Sequence, residues 1–498
     1  MAITPGSGIR SLATGIPGFD AIAMGGLPAD RVTLVSGTAG AGKTVLATHF
    51  LVEGIRQANE ASVFVSLEEP TDDIRASMVS LGWDISAFEA AGKWVFIDGA
   101  AHLDEEDALI GDYDLGGLLA RIQAAVVRVD AKRLVLDAVT ALFSRFSDRG
   151  KVRSELFRIG QTLRALGVTT LMTSERASDH AEVSRYEVEE FVADNVIILR
   201  NGLDDELRRR TLEILKMRGV PHRRGEFPFV IIPGRGVEVV PLSAIPLQHR
   251  STNVRTTYGN AQLDTMCEGG AFRDSITLVS GPTGAGKTLM ASGFAAGGAA
   301  VGERCLMLGF EESRDQLFRN AKGWGHDFER LESDGWLKTV CEYPEAQSLE
   351  DRLVSIRDMI RDFRPQRLVL DTMTALHRLA STKSFRDFTL GLSSLLKREQ
   401  ITGLFTHDVG TIINVAEASK DHLSAITDTI ILLRFVEIGS RIHRGITVLK
   451  MRGSHHDADI REFTITNSGL NIGLPFRHVQ SVLSGSAQII PERPDFQL

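Results

Sequence analysis

Two stretches of eight residues carry phosphate chemistry. Gly37-Thr-Ala-Gly-Ala-Gly-Lys43-Thr44 and Gly281-Pro-Thr-Gly-Ala-Gly-Lys287-Thr288 both fit the pattern G-x-x-x-x-G-K-[ST]. Gly37, Gly40 and Gly42, with their counterparts Gly281, Gly284 and Gly286, let the backbone curl. The small residues Thr38, Ala41, Thr283 and Ala285 keep the loop open, so that successive N–H groups can face a phosphate. In such a loop Lys43 and Lys287 reach the β- and γ-phosphates, and the hydroxyls of Thr44 and Thr288 bind Mg²⁺. Each loop follows an apolar run and opens a helical stretch, Val45–Glu53 in one case and Leu289–Ala296 in the other. A helix N-terminus at that point favours an anion. Both matches therefore read as sites for ATP with Mg²⁺.

Carboxylates recur around these loops. Asp137 and Asp371 each end a run RLVLD, and an aspartate ending a strand beside a phosphate loop suits a metal-holding role, directly or through water. Glu68-Glu69 and Glu311-Glu312 end the apolar run after each loop helix. One member of each pair can polarise an attacking water or hydroxyl, and Glu312 is a further candidate beside the metal. The bland alternative is an acidic first turn of the next helix. The tetrapeptide KMRG occurs twice, giving Lys216, Met217 and Arg218 in one copy and Lys450 and Arg452 in the other. Alternating cations share one side of a strand. They either block edge pairing or touch a nucleotide bound to the next subunit; His222, His456 and Arg378 join them as candidates for that interface. No Cys–His or carboxylate–His spacing supports a metal at His422, His455 or His456.

These groups are positioned by a duplicated domain. DRVTLVSGTAGAGKT and DSITLVSGPTGAGKT, FVSLEE and MLGFEE, and the twin RLVLD and LKMRG motifs follow in the same order in both halves. In the first copy, Val32–Ser36, Val63–Leu67, Trp94–Ile97, Leu134–Leu136, Thr169–Thr173, Val196–Leu199 and Thr211–Lys216 read as strands. Near-continuous apolar runs suit strands buried on both faces. Their alternation with helices predicts an α/β fold with a mostly parallel central sheet flanked by helices, turning antiparallel where the last strands follow one another directly. The expected organisation is two tandem RecA-like P-loop NTPase domains: residues 1–240, a Pro-containing linker over 241–255, residues 256–480, and a short arm over 481–498.

The tandem loops, FVSLEE and GFEES, the twin RLVLD and KMRG motifs, the run Tyr186–Phe229 and the run DHLSAITDTIILLRFVEI from Asp421 to Ile438 together resemble the KaiC family of circadian-clock ATPases and autokinases. The resemblance covers nearly the entire chain. It implies a double-ring homohexamer with ATP between neighbouring subunits. It further implies a slow ATPase in the first ring and, in the second, phosphorylation of an adjacent Ser and Thr across the subunit interface. The matching positions are Ser424 and Ala425. The serine is kept, whereas alanine has no hydroxyl, so the resemblance implies one acceptor rather than an ordered pair. Glu311 would then be the general base for Ser424, with Glu312 beside it, and Glu68 would orient water in the first ring. A KaiB-like protein is an expected partner of the first ring. The short stretch after Ser486 leads us to expect no KaiA-like activator.

Composition narrows the alternatives. With 43% apolar and 24% charged residues the chain reads as an ordinary globular protein. The absence of an 18-residue apolar run predicts no membrane span and a cytoplasmic location. Cys267, Cys305 and Cys341 show no metal-binding or disulfide spacing. A DNA-dependent motor uses the same core, and Arg145, Arg149, Lys151 and Arg153, or Arg378, Lys383 and Arg386, are its candidate loop cations. The net charge of −8 argues against that reading, because nucleic-acid binders carry a basic footprint. A third possibility is a ring that binds nucleotide without catalysis; the intact lysines and carboxylates of both copies argue against it.

Overall fold

The apolar runs form the centres of two similar sheets. In the first, the strand order is Gly236–Val239, Glu226–Ile232, Leu207–Met217, Asn195–Asp204, Val32–Gly37, Thr169–Glu175, Arg133–Asp137, Ser62–Ser66 and Trp94–Asp98. In the second it is Gly469–Pro475, Arg461–Thr466, Arg441–Met451, Thr429–Ile438, Ile276–Gly281, Thr402–Asp408, Arg367–Asp371, Cys305–Gly309 and Leu337–Cys341. This is a computed structural model, and it describes residues 8–99, 115–143, 149–176, 178, 193–204, 207–240, 251–409, 423–438, 440–476, 479–480 and 488–489. The chain divides into two compact units, Met1–Ala244 and Ile245–Leu498.

Within each sheet, the strands from the phosphate-loop strand to the far edge pair in parallel. On its other side one more strand, Asn195–Asp204 or Thr429–Ile438, is also parallel. From there the order turns antiparallel, through Leu207–Met217 and Arg441–Met451. The expected antiparallel end is therefore present, and it is longer than the apolar runs suggest. Glu226–Ile232 and Gly236–Val239 extend it as a hairpin.

Side-chain alternation sorts the first sheet into two cores. Val35, Phe64, Val135, Leu171 and Ile197 pack against Leu46, Ala47, Phe50 and Leu51 of the helix Lys43–Ala58. Val32, Leu34, Val63, Val65, Leu134 and Leu136 point the other way, towards the helices Gly116–Val129 and Arg149–Ala165. Period-2 alternation with both faces covered explains why these strands carry no polar face. In the second sheet Val279, Met307, Val369, Leu404 and Ile431 pack against Met290, Ala291, Phe294 and Ala295 of the helix Lys287–Ala300.

The RLVLD runs contain a second device besides their aspartate. Arg367, fully buried, forms an ion pair with Glu303 at 2.8 Å. It also donates to the carbonyls of Thr257 and Phe294, both at 2.8 Å, and to the Thr256 hydroxyl at 2.6 Å. Its guanidinium lies 4.6 Å from the Phe294 ring centre. Arg133 does the same work with Glu60 at 2.7 Å, the carbonyls of Ala13, Thr14 and Phe50, and the Phe50 ring. Each arginine ties the segment ahead of the phosphate loop, the loop helix and the aspartate strand into one unit. Five fixed donors on a planar group suit this bridging.

Of the expected linker, residues 241–250 lie outside the described residues, and Arg255–Thr256 already pairs with Ala271–Phe272. Most of the expected arm also lies outside them; Gln488–Ile489 pairs with Val479–Gln480. Arg145 is likewise outside, whereas Lys151 and Arg153, and Lys383 and Arg386, sit on helices rather than loops. No helix among the described residues is long and apolar enough to cross a membrane.

Replacing Arg367 by alanine removes one of the two arginines paired with the buried Glu303, Arg273 being the other, and takes a donor from the Thr257 and Phe294 carbonyls. The expected loss is about 3–5 kcal/mol in the second unit, measured by denaturant unfolding of the full chain. A loss below about 1 kcal/mol would contradict the bridging role.

Candidate functional site

Each phosphate loop links the end of a buried strand to a long helix. Gly42 and Gly286 precede these helices with φ of 95° and 108°, a conformation that excludes most side chains. At Gly37 and Gly281 a Cβ would come within 2.7 Å of the carbonyl oxygens of Leu199 and Leu433. Neither helix has a side-chain cap or an acid in its first turn. The first N–H groups of both helices therefore face the loop without a competing carboxylate, as an anion site requires.

Lys43 folds back over its loop. Its Nζ donates to the carbonyls of Gly37 and Thr38, both at 3.1 Å. Lys287 donates to Gly281 and Pro282, both at 3.0 Å, and also pairs with Asp408 at 2.5 Å. The Thr44 hydroxyl donates to Asp137 Oδ2 at 2.7 Å, and that of Thr288 to Asp371 Oδ2 at 2.8 Å. The other oxygen of each aspartate accepts from a hydroxyl on the neighbouring strand, Thr173 or Thr406. Burial pushes the carboxyls of Asp137 and Asp371 up, and the threonine hydrogen bonds pull them back. A hydroxyl beside an enclosed carboxylate is a hard oxygen pair that fits Mg²⁺. Among the described residues no group of three His, Cys, Asp or Glu side chains could hold a metal by itself. Such a partial donor set suits a cation that shares its coordination with phosphates and water.

Glu68 and Glu311 stand over the same ends of the sheets. Partial burial raises the Glu68 carboxyl, helped by the charges of Glu175, Asp137 and Glu69 and opposed by Lys43. Partial burial also raises Glu311, with Asp408 and Asp371 adding and Arg378 and Lys287 opposing. Arg378 thus lies in the electrostatic neighbourhood of its own chain's Glu311. The second member of each pair is engaged otherwise. Glu312 accepts from Asn320 Nδ2 at 3.1 Å, and the backbone carbonyl of Glu69 accepts from the Ser66 hydroxyl.

Glu175 and Asp408 were missed in the sequence. They end the strands Thr169–Glu175 and Thr402–Asp408 and stand in register beside Gly37 and Gly281. Thr-Ser or Thr-His precedes each acid, so neither closes an apolar run as the aspartate of RLVLD does, and only the register beside the loop gives them meaning.

The KMRG residues lie at the opposite ends of the sheets. Lys450 Nζ donates to the carbonyls of Ser424 and Thr427, both at 2.8 Å. Its ammonium is pushed down by burial and then by Arg452. Arg452 pairs with Asp428 at 3.7 Å, and Asp428 caps the start of the phosphate-loop strand by accepting from the Ile276 N–H at 3.0 Å. The first unit repeats this: Lys216 donates to the Ala193 carbonyl at 2.9 Å, the Arg218 N–H to Asp194 O at 3.3 Å, and the Val32 N–H to Asp194 Oδ2 at 3.3 Å. A six-residue strand separates the two ends, roughly 17 Å at about 3.3 Å per residue. Met217 is buried, His222 and His456 are half-buried, and Arg218 and Arg452 are exposed. His422 lies outside the described residues, as does the Ala425 side chain.

A family model described as "ATPase: KaiC" matches this chain twice, over residues 12–244 and 257–475. The chain belongs to the KaiC family of ATPases. It is 53% identical over 479 residues to the circadian clock protein KaiC3 of Synechocystis sp. (strain ATCC 27184 / PCC 6803 / Kazusa), covering 96% of this chain and 95% of that protein. It is 46% identical over 478 residues to the circadian clock oscillator protein KaiC of Thermostichus vulcanus, and likewise to that of Synechococcus elongatus (strain ATCC 33912 / PCC 7942 / FACHB-805). Each of these alignments covers 96% of this chain and 92% of the relative. Both KaiC-type modules are thus present at nearly full length.

Two nucleotide sites per chain predict a simple stoichiometry. Lys43→Ala and Lys287→Ala should each about halve the nucleotide bound per chain, since each removes one phosphate-binding ammonium. Equilibrium dialysis with labelled ATP measures it; wild-type stoichiometry in either variant would count against that lysine.

Proposed function

We propose that the protein is a cytoplasmic, ATP-hydrolysing homohexamer whose second ring transfers phosphate to Ser424 of a neighbouring chain, serving timekeeping or signalling. The observation that carries this reading is the separation of Ser424 from its own phosphate loop. Ser424 and Lys450 sit at one end of the second sheet, and Lys287 sits at the other. A serine at that end meets a γ-phosphate only if the nucleotide belongs to another copy. The repetition of the arrangement around Lys216 supports a ring in which each KMRG end faces the next chain's loop.

In the first module Glu68 accepts a proton from the attacking water as the water oxygen bonds to the γ-phosphorus, the bond from phosphorus to the bridging oxygen breaks, and ADP leaves. In the second, Ser424 Oγ attacks, the bond from phosphorus to the bridging oxygen breaks, ADP leaves, and the serine proton passes to Glu311. The raised pKa of both glutamates makes them stronger bases than ordinary carboxylates. Lys43 and Lys287 offset the charge moving onto the leaving group. Mg²⁺, held by Thr44 with Asp137 and by Thr288 with Asp371, would neutralise phosphate charge. Lys216, Arg218, Lys450 and Arg452, with Met217, His222 and His456, would complete the neighbour's sites. A KaiB-like protein remains the proposed partner of the first ring.

Mixing two inactive variants tests the transfer. Ser424→Ala lacks the acceptor and Lys287→Ala lacks the donor site, so neither labels itself with γ-labelled ATP. Mixed rings should label the Lys287→Ala chain at Ser424. No label in the mixture, with wild type labelled normally, would refute transfer between chains. No label in wild type would leave an ATPase without a kinase.

Glu68 must be ionised to act. Its raised pKa places the acidic fall of ATP hydrolysis above the ordinary carboxylate value of about 4.3. Glu175→Gln removes the largest charge that raises it, so the acidic limb should move to lower pH. An unmoved pH–rate profile would argue against Glu68 as the base.

A further inference from the structure

The two nucleotide sites differ at one point. An ammonium has three N–H donors. Those of Lys287 have three acceptors within the chain: the Gly281 and Pro282 carbonyls and Asp408 Oδ1. Lys43 uses only the two loop carbonyls and makes no ion pair among the described residues. Glu175 holds the position equivalent to Asp408, in register with Gly37 as Asp408 is with Gly281, yet it does not reach Lys43.

The difference is built into the sequence after the metal-site aspartate, DAVT in the first copy and DTMT in the second. The Thr372 hydroxyl donates its one proton to the Thr406 carbonyl at 3.1 Å and lies 3.4 Å from Asp408 Oδ2. The Asp408 N–H donates to Thr374 Oγ1 at 2.7 Å. Thr374 therefore holds Asp408 by its backbone, and Thr372 lies beside its side chain. In the first copy Ala138 replaces Thr372 and has no hydroxyl, and the hydroxyl of Thr140, the counterpart of Thr374, has no hydrogen-bond partner among the described residues.

We propose that Asp408 is a positioning residue that sets the affinity and selectivity of the second nucleotide site by acting through Lys287. The carboxylate occupies the ammonium direction that a phosphate oxygen needs, and Thr374 fixes its backbone there. A polyphosphate must displace it, so the second site binds more weakly than the first. The cost falls most on the γ-phosphate, because the loop lysine spans the β- and γ-phosphates. Asp408 therefore reduces the preference of the second site for ATP over ADP, and product is retained there relative to substrate. This rests on the reading of the second loop as a nucleotide site.

The full-length protein, titrated with fluorescent ATP and ADP in the presence of Mg²⁺, tests the proposal. Lys287→Ala identifies the phase that belongs to the second site. In Asp408→Asn that phase should tighten about tenfold or more for ATP, the scale of a lost charge-assisted hydrogen bond, and by less for ADP. Thr374→Ala, which releases the Asp408 backbone, should shift it in the same direction to a smaller extent. Unchanged or weaker ATP binding in Asp408→Asn, with an unchanged melting temperature, would overturn the proposal, and so would equal tightening for ATP and ADP. A second phase absent from wild type but present in Asp408→Asn supports it. Absence from both overturns the underlying site as well, which separates the two failures.

Discussion

Each half of this protein must hold an ammonium and several carboxylates at one end of a sheet that is otherwise dry. Charges in such a place are stable only if every one is matched. The carbonyls of the phosphate loop take the lysine, and threonine hydroxyls take both oxygens of the aspartate. Much of the rest follows from that balance. The strands beneath must be apolar on both faces to keep water away, and the acids above must come from strand ends. The glutamates that remain under-compensated are left with raised pKa values, the property a proton acceptor needs.

A second balance sits at the far ends of the sheets and is structural in character. Asp194 and Asp428 cap the first N–H of the phosphate-loop strands and gather Arg31 and Arg164, or Lys397 and Arg452. Holding the KMRG strand to the start of the loop strand keeps its cations away from their own nucleotide. In the proposed ring, Lys216, Arg218, Lys450 and Arg452 of one chain would face the next chain's nucleotide. The same strand thus anchors the start of the phosphate-loop strand and sets its own cations one strand length from the loop.

Much of this was legible in the sequence, for physical reasons. A strand buried on both faces leaves a continuous apolar run, and a phosphate loop leaves glycines at fixed spacing, so VTLVSGTAGAGKT and ITLVSGPTGAGKT gave both element and chemistry. RLVLD was readable for its aspartate but not for its arginine, because the partners of Arg367 lie on Glu303, Thr256, Thr257 and Phe294, remote in sequence and brought together only by the sheet. Glu175 and Asp408 were hidden by the same cause, since their meaning depends on a register beside Gly37 and Gly281. The antiparallel hairpin Glu226–Ile232 and Gly236–Val239 was missed because EFPFVIIPGRGVEV contains Pro228 and Pro233, which read as breaks. Pro228 sits within a short stretch of pairing near the start of its strand, and Pro233 lies in the turn.

On the proposed reading, Ala425 leaves Ser424 as the one acceptor hydroxyl, which limits what a phosphorylated second ring would encode. With one hydroxyl the site has two covalent states, and any order in time must come from binding and hydrolysis rather than from a sequence of phosphoforms. A phosphate on Ser424 would add roughly −1.5 to −2 charges where Lys450 already donates to the Ser424 carbonyl and Arg452 leans on Asp428. Those two cations are the ones proposed to complete the neighbour's nucleotide site. They cannot fully serve a phosphoserine, Asp428 and a bound nucleotide at once. Phosphorylation would therefore weaken the grip of one chain on the next chain's nucleotide. That competition for a fixed number of cations couples the covalent state of a chain to the occupancy of its neighbour without any large movement of the fold.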